Sequence, residues 1–271
     1  MKFSVFGANG FIGSNMVNFL KKQNHECDKL EPNDRKIFNQ SLGNVIYCIG
    51  LTADFRERPF DTVEAHVCLL HKILKVCKFD SFLYLSSTRV YSNSTSTNER
   101  DRLHVEPTNP DSLYNISKLM GESLCLASKS QNMRIARLSN VVGIGEKYNN
   151  FLNSLIHDAI SNKKVLLHTT PTSEKDYVHI DDVVKILEKI AINGKENLYN
   201  VASGNNTKVI EIINEIKNIT NCKIGFSSDA VENSFLKINI EKIQKEFNFK
   251  SSPFCSKLKD IILEIKNEKI I

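Results

Sequence analysis

Short apolar segments alternate with longer amphipathic segments through the first half of this chain of 271 residues. A strand that is buried on both faces is apolar throughout, whereas a helix that covers such a sheet is apolar on one side only. No other feature limits the possible folds as strongly. The alternation predicts an α/β fold with a doubly wound parallel sheet and helices on both of its faces.

The segments can be assigned individually. The predicted strands are Phe3–Phe6, Glu26–Leu30, Val45–Ile49, Phe82–Leu85, Arg134–Arg137 and Val165–Leu167. The predicted helices are Ser14–Gln23, Thr62–Cys77, Leu113–Lys129, Phe151–Asn162, Ile180–Ala191, Val209–Ile219 and Pro253–Asn267. Because the pattern loosens from about residue 150, we expect a main domain over 1–150 and a small α+β lobe over 151–271. Segments such as 175–202 are expected to return to the core.

The composition excludes several classes of protein. Hydrophobic residues make up 41% of the chain and charged residues 25%, and the net charge of +5 is spread without a basic block, so no nucleic-acid partner is predicted. No apolar run approaches the length of a membrane span and no signal peptide is evident, which predicts a cytoplasmic protein without membrane insertion. Seven scattered cysteines are typical of reduced thiols, and the histidine spacing predicts no metal site.

A glycine-rich turn, Gly7-Ala8-Asn9-Gly10-Phe11-Ile12-Gly13, follows the first predicted strand and precedes a predicted helix. In a dinucleotide site the first glycine makes a tight turn, the second lets the backbone approach a pyrophosphate, and the third lets helix and strand pack closely. The N-terminus of the helix then faces the phosphates. The spacing is G-x-x-G-x-x-G rather than the more familiar G-x-G-x-x-G, so the turn by itself also fits a plain loop.

Glu31 stands at the end of the second predicted strand, 18 residues after Gly13. An acidic side chain in this place accepts hydrogen bonds from the adenosine ribose hydroxyls, which favours NAD over NADP. Two alternatives stay open, because the residue also fits a solvated acid and Arg35 nearby would suit a 2′-phosphate.

Tyr114 and Lys118 are one helical turn apart at the start of a predicted helix, so their side chains share a face. A lysine beside a tyrosine lowers the pKa of the phenol and permits proton exchange with a substrate hydroxyl or carbonyl. This spacing is common by chance. Its weight comes from its place soon after "FLYLSSTRVYS", a strand that ends in hydroxyl residues.

Seven segments resemble, in order, the extended short-chain dehydrogenase/reductase superfamily and, within it, the NAD-dependent nucleotide-sugar epimerase/dehydratase/reductase family. They are Gly7–Gly13, "VIYCIG" (45–50), "YLSSTRVY" (84–91), "YNISKLMGE" (114–122), "RIARLSNVVGIG" (134–145), "KDYVHIDDVV" (175–184) and "LYNVASG" (198–204). The resemblance covers most of the chain. It implies a Rossmann-type sheet and supports the interpretation of the glycines as a dinucleotide site.

The resemblance also implies roles for individual residues. The catalytic residues would be Ser87, Tyr114 as the acid/base, and Lys118, which would hold the nicotinamide ribose. The implied cofactor-binding residues are Gly7, Asn9, Gly10, Phe11, Ile12, Gly13, Glu31, Ile49, Gly50, Tyr114 and Lys118. The implied substrate-binding residues are Thr88, Arg89, Asn140 and Lys175.

The chain departs from the family pattern beside the implied catalytic serine. Dehydratases of this family carry Asp-Glu immediately before the Val-Tyr pair, where this chain has Thr88 and Arg89. A guanidinium cannot act as the base that removes water from a sugar, so 4,6-dehydratase activity is not expected. Arg89 fits either an exposed surface arginine or a fixed positive charge in the substrate cleft.

Two further departures concern the sheet and the substrate. Only 13 residues separate Glu31 from Val45, where relatives fit another strand, so one strand of the sheet is predicted to be missing. Lys175 stands where relatives often have an arginine that binds the substrate pyrophosphate, and the chain has no arginine after Arg137. A lysine is a point charge without the bidentate geometry of arginine, which weakens the nucleotide-sugar assignment.

The sequence therefore predicts an NAD(P)-dependent oxidoreductase or epimerase that transfers hydride at a ring carbon of a nucleotide sugar. NAD is the expected cofactor, with NADP left open, and a homodimer is compatible with the pattern. One alternative is a reductase or dehydrogenase of a non-sugar carbonyl or alcohol. The other is a cofactor-binding sensor without turnover.

Overall fold

A computed structural model of the chain describes residues 1–32, 34, 36–51, 54–128, 132–144 and 151–268. Its strands, in chain order, are β1 (Lys2–Phe6), β2 (Glu26–Leu30), β3 (Asn44–Tyr47), β4 (Ser81–Ser87), β5 (Met133–Leu138), β6 (Asn140–Val142), β7 (Lys164–Thr169), β8 (Glu174–His179), β9 (Leu198–Val201), β10 (Asn206–Lys208) and β11 (Lys223–Val231).

The helices lie between these strands and after them. In chain order they are α1 (Phe11–Lys22), α2 (Lys36–Asn39), α3 (Pro59–Val63), α4 (Leu69–Val76), α5 (Leu113–Ala127), α6 (Phe151–Ser161), α7 (Ile180–Asn193), α8 (Val209–Thr220), α9 (Glu241–Phe247) and α10 (Phe254–Glu268). A π-helical turn, Glu64–Cys68, joins α3 to α4, so the predicted helix Thr62–Cys77 is a continuous helix with one widened turn.

The main sheet has six parallel strands in the order β2-β1-β3-β4-β5-β9, which confirms the predicted α/β class. The order of the strands reverses between β1 and β3. Ligands of such sheets bind outside the carboxyl ends of the strands at this reversal. The fold therefore places the glycine-rich turn after β1 and the segment after β3 at the same ligand-binding edge.

Side chains alternate between two hydrophobic clusters, one on each face of the sheet, because successive residues of a strand point to opposite faces. The cluster under α1 and α7 includes Phe3, Val5, Ile46, Leu83, Leu85 and Ala136 from the sheet. The cluster under α4 and α5 includes Phe6, Tyr47, Phe82, Tyr84, Met133 and Ile135. Full burial of a large apolar side chain contributes about 1.5–3 kcal/mol, so the two clusters hold the helices on the sheet.

The strand that was predicted to be missing is absent from the described residues between Glu31 and Gly43. In that stretch the chain forms α2 and a single bridge between Ser41 and Lys78 before it enters β3. β2 is consequently the edge strand of the sheet. The short connection leaves too few residues for another crossover and strand.

One predicted strand lies outside the main sheet. Val165–Leu167 falls within β7, which pairs with β11 in a separate two-stranded sheet. The sixth strand of the main sheet is β9, which pairs with β5. The local apolar pattern correctly predicted a strand at 165–167, but it carries no information about its partner.

A third hydrophobic cluster belongs to the second half of the chain. It includes Leu152, Ile156, Ile212, Ile216 and Leu258, contributed by α6, α8 and α10. By contrast, α7 packs on α1 and β9 extends the main sheet, so these two elements join the first half of the chain. Within the part of the chain that the structure describes, no helix is long and apolar enough to cross a membrane.

A buried ion pair connects α5 to strands β4 and β5. The Glu122 carboxylate accepts hydrogen bonds from Arg137 Nε at 2.9 Å and Arg137 Nη2 at 2.6 Å, and from Ser86 Oγ at 2.6 Å. Both charged side chains are about 5% exposed or less. Glu122 and the Tyr91 hydroxyl raise the pKa of Arg137 against the effect of burial. The pair fixes how α5 lies against β4 and β5.

Replacement of Arg137 by methionine should destabilise the protein by about 3–5 kcal/mol, because it leaves the Glu122 carboxylate buried without its partner. Urea denaturation measures the change. The matched control is Arg100→Met, which removes an exposed pair with Glu196 and should change stability by less than about 1 kcal/mol. Equal effects of the two substitutions would contradict this role for the buried pair.

Candidate active site

The glycine-rich turn has the geometry of a phosphate site. Gly7 has φ of +75°, a left-handed conformation that favours glycine, and Gly10 N–H donates to Gly7 O at 3.0 Å. A Cβ on Gly13 would lie 2.1 Å from Gly7 O, so α1 could not approach the turn with any other residue there. Gly10, at the N-cap of α1, has no side chain to accept the first helical N–H groups. These groups are suited to bind phosphate.

Glu31 lies directly after β2, at the same edge of the sheet. Its Oε1 accepts a hydrogen bond from Asn9 Nδ2 at 3.0 Å, which links it to the glycine-rich turn. The side chain is exposed, so the carboxylate can reach a ligand in the crevice. Arg35, the alternative ligand for a 2′-phosphate, lies outside the described residues.

The segment after β3 forms the opposite wall of this crevice. A Cβ on Gly50 would lie 3.1 Å from both His66 Nε2 and Lys118 Nζ, so the backbone approaches two side chains of the site closely. Ile49, the preceding residue, is half-buried. The glycine-rich turn after β1 therefore lies against Cys48 and Ile49, and Gly50, which follows them, lies close to Lys118.

Ser87, Tyr114 and Lys118 come together at the carboxyl end of β4. Ser87 is the last residue of β4, and Tyr114 and Lys118 lie one turn apart on α5. Burial raises the pKa of Tyr114, whereas a hydrogen bond with Ser87 and the charge of Arg89 lower it. Burial is the largest of these effects, so the pKa of Tyr114 is raised and the phenol holds its proton.

Lys118 is buried, and its Nζ donates to Leu85 O at 2.9 Å. Burial lowers the pKa of Lys118 to about 7, and the charge of Glu122 opposes the shift. The charge of Arg89 is one cause that lowers the pKa of Tyr114, and the sequence could not show it because it does not reveal where Arg89 lies. The expected effect of Lys118 on Tyr114 stays a prediction.

Arg89 faces the site. Its guanidinium carbon lies 5.4 Å from the centre of the Tyr114 ring and 4.9 Å from the centre of the Phe55 ring. Burial, and then the charge of Arg56, lowers the pKa of Arg89. Thr88, its neighbour, is buried. Arg89 is thus held over two aromatic rings and does not extend freely into solvent.

Two more cations surround Arg89. Arg56 pairs with Asp111 at 2.5 Å, with both side chains about half exposed. Lys175 Nζ lies 5.1 Å from the centre of the Phe235 ring, and burial followed by the charge of Arg89 lowers the pKa of Lys175. Arg56 and Lys175 therefore add positive charge close to Arg89 and Tyr114.

Asn140 lies at the rim of this region. Its Nδ2 donates to Asp176 O at 2.8 Å, so one end of the amide supports β8 and holds the backbone next to Lys175. The Asp176 carboxylate is buried and accepts hydrogen bonds from Ser139 Oγ and from the backbone N–H groups of 203–205. Asn140, the first residue of β6, thus lies beside β8, the strand that carries Lys175.

Sequence reasoning missed two residues of the site, Phe55 and His66. Phe55 is buried against the Tyr114 ring at 5.4 Å between centres, and His66 contacts the same ring at 5.4 Å in an edge-on arrangement. Neither residue belongs to a motif with a recognisable spacing. The two contacts join residues that are 59 and 48 positions apart, which only the folded chain reveals.

A cavity of about 610 Å³ lies elsewhere, lined by segments 95–98, 203–205 and 236–241 and by Gln244. None of the predicted site residues lines it. The chemistry of the site rather than the volume of a cavity identifies it, because groups with altered pKa surround Tyr114 at the sheet edge that also carries the glycine-rich turn.

Comparisons with known proteins agree with this geometry. A model of the NAD dependent epimerase/dehydratase family matches residues 3–202. A dTDP-D-glucose 4,6-dehydratase of Dictyostelium discoideum is 24% identical over 272 residues, an alignment that covers 81% of this chain and 62% of that protein. The chain thus spans less than two thirds of the length of that relative.

A putative UDP-glucose 4-epimerase of Methanocaldococcus jannaschii is also 24% identical, over 262 residues and 84% of each protein. The solved structure of MoeE5 in complex with UDP-glucose and NAD superposes with a TM-score of 0.84 at 19% identity, covering 99% of this chain and 100% of that one. At that identity the superposition shows the fold. With the family model matching most of its length, the chain belongs to the NAD-dependent epimerase/dehydratase family.

Proposed function

We propose that this protein is an NAD(P)-dependent oxidoreductase or epimerase that transfers hydride at a ring carbon of a nucleotide sugar. The observation that carries the proposal is the convergence of Ser87, Tyr114 and Lys118 at the sheet edge that also holds the glycine-rich turn. Membership of a family of nucleotide-sugar enzymes supports the substrate class.

The residues present fit a nicotinamide dinucleotide. The turn of Gly7, Gly10 and Gly13 would hold the pyrophosphate at the N-terminus of α1, and Glu31 would bind the adenosine ribose. Asn9, Phe11, Ile12, Ile49 and Gly50 would line the remainder of this site. When bound, the cofactor supplies a nicotinamide carbon that accepts or donates hydride.

Tyr114 would exchange a proton with the substrate oxygen through its phenol, and Ser87 would hold the same oxygen by a hydrogen bond. The charge of Arg89 makes loss of the Tyr114 proton easier, against the effect of burial. Lys118, fixed by the carbonyl of Leu85, would orient the nicotinamide ribose. The site therefore supports reversible removal of a hydroxyl proton together with the carbon-bound hydride.

Arg89 and Lys175 would hold the anionic part of a nucleotide sugar, with Thr88 and Asn140 beside them. The guanidinium over Tyr114 occupies the place where dehydration would need a carboxyl group, so we favour epimerisation or reduction of a keto-sugar over 4,6-dehydration. Since a dehydratase is among the relatives, product analysis has to include the dehydrated sugar.

The alternatives are reduction of a non-sugar carbonyl and cofactor binding without turnover. A sensor would not need the Ser87–Tyr114 hydrogen bond, which argues for chemistry. The deciding experiment is mass spectrometry of molecules that co-purify with the protein, followed by NMR of UDP- and dTDP-sugars incubated with it and cofactor. A new epimer or reduced sugar supports the proposal. Turnover of a non-sugar carbonyl alone, or none at all, would contradict it.

The protein should bind NAD(H) at least about tenfold more tightly than NADP(H), since the Glu31 carboxylate repels a 2′-phosphate. Fluorescence titration of both cofactors measures the ratio. Glu31→Gln should reduce the ratio, whereas Glu26→Gln, which alters an exposed acid at the other end of β2, should leave it unchanged. Tighter binding of NADPH by the wild-type protein would refute the assignment of Glu31.

Tyr114→Phe should lower turnover by about two to four orders of magnitude, because the phenol oxygen that carries the proton is removed. Steady-state kinetics on a proven substrate measures the loss, and an unchanged melting temperature and cofactor affinity confirm that the fold is intact. If turnover stays close to that of the wild-type enzyme, Tyr114 is not the acid/base.

Arg89→Ala should reduce kcat/KM. The expected loss of transition-state stabilisation is about 1–3 kcal/mol, the size of a lost charge-assisted hydrogen bond. Cofactor affinity should hardly change, since the proposed cofactor ligands are the glycine-rich turn, Glu31 and Lys118 rather than Arg89. Arg100→Ala, on an exposed arginine, is the control. Unaltered kinetics would show that Arg89 does not contact the substrate.

A further inference from the structure

His66 is fully buried in the π-helical turn between α3 and α4, and the function described above does not use it. Such turns are rare and frequently lie at functional sites. The sheet fixes this one, because Tyr47 Oη donates to Ala65 O at 2.6 Å and Tyr84 Oη donates to His66 O at 3.4 Å. Hydrogen bonds from two strands of the sheet therefore hold the π-helical turn in place.

Both ring nitrogens of His66 have partners in the site. Nε2 accepts a hydrogen bond from Leu51 N–H at 3.3 Å, and Nδ1 lies 2.8 Å from Ser117 Oγ. Ser117 Oγ in turn donates to the carbonyl oxygen of Tyr114 at 2.9 Å. Because Nε2 accepts, the proton of the neutral ring is on Nδ1 and is donated to Ser117.

The ring stays neutral. Burial, and next the charge of Lys118, lowers the pKa of His66 to about 2. Between about pH 5 and pH 9 the imidazole therefore keeps one acceptor and one donor, and it does not act as a proton carrier.

The His66 ring also lies between Tyr114 and the segment after β3. The rings of His66 and Tyr114 are nearly perpendicular, with 5.4 Å between their centres and an angle of 84°. On the other side, a Cβ on Gly50 would be 3.1 Å from Nε2. His66 thus contacts the wall of the dinucleotide crevice and the tyrosine together.

We propose that His66 is a positioning residue that joins the crevice wall at Gly50 and Leu51 to the helix turn that carries Tyr114. Through Nε2 it fixes the wall against which the cofactor lies, and through Nδ1 and Ser117 it fixes the first turn of α5. Its consequence for turnover rests on the proposed function, whereas its consequence for the wall holds in the free protein.

Two amide substitutions of His66 each keep one of its two hydrogen bonds and remove the other. In His66→Asn the amide nitrogen occupies the place of Nδ1, so the bond to Ser117 is kept and the acceptor for Leu51 N–H is lost. In His66→Gln the amide oxygen reaches the place of Nε2, so the bond from Leu51 is kept and the donor to Ser117 is lost. His71→Asn and His71→Gln, on an exposed histidine of α4, are the matched controls.

Amide hydrogen exchange of Leu51 in the free protein, cofactor affinity and kcat at saturating cofactor are measured for all four variants. His66→Asn should accelerate Leu51 exchange and weaken NAD(H) binding, each by about tenfold, with a smaller change in kcat. His66→Gln should leave the Leu51 exchange rate and the NAD(H) affinity unchanged and should lower kcat by about tenfold or more. The His71 variants should match the wild type.

Equal losses in the two His66 variants would show a merely structural residue and overturn the proposal, as would wild-type values in both. The exchange measurement needs neither cofactor nor sugar. A failure of the proposed function would therefore leave the expected difference at Leu51 intact, so the two failures are distinguishable.

Discussion

The carboxylate of Glu122 is the group on which the geometry of the site depends. It joins α5 to Ser86 on β4 and to Arg137 on β5 in a region from which water is excluded. Breaking a buried pair of this kind leaves an uncompensated charge, so the helix has one well-defined position on the sheet. Tyr114 and Lys118 lie two turns and one turn before Glu122 on the same helix. Their distance from Ser87 and Leu85 follows from that anchor.

The pKa shifts of Tyr114 and Lys118 follow from the burial of these side chains of α5. Taking Tyr114 and Lys118 out of water raises the pKa of the phenol and lowers that of the ammonium, so both groups lose much of their tendency to be charged. Arg89 then supplies a positive charge next to Tyr114, held by stacking on Phe55. A guanidinium stays charged even when partly buried, which makes it a dependable source of positive potential there.

Much of the fold could be predicted from the sequence because its signals are local. The strand Glu26–Leu30 and the helices after β1 and β4 follow from short apolar and amphipathic patterns. The short link after Glu31 predicted that one strand is missing, and the described residues between Glu31 and Gly43 contain none. The pairing of β7 with β11 was not predictable, because strand partners are chosen by tertiary packing.

The residues of the candidate site likewise divide into those that the sequence could predict and those that it could not. Ser87, Tyr114 and Lys118 belong to motifs of adjacent residues, and the structure brings them to one place. The orientation of Arg89 and the contacts of Phe55 and His66 depend on residues far apart in the chain, so no spacing could reveal them. For the same reason, the sequence could not show that Arg89 and Ser87 lower the pKa of Tyr114.

The central claim is that Ser87 and Arg89 make the buried Tyr114 phenol easier to deprotonate. Titration of the free protein labelled with ¹³Cζ-tyrosine tests it most directly, with Tyr114→Phe used to assign the signal. The account predicts that the pKa of Tyr114 is higher in Arg89→Ala and in Ser87→Ala than in the wild-type protein. A Tyr114 pKa that stays the same or falls in both variants would contradict it.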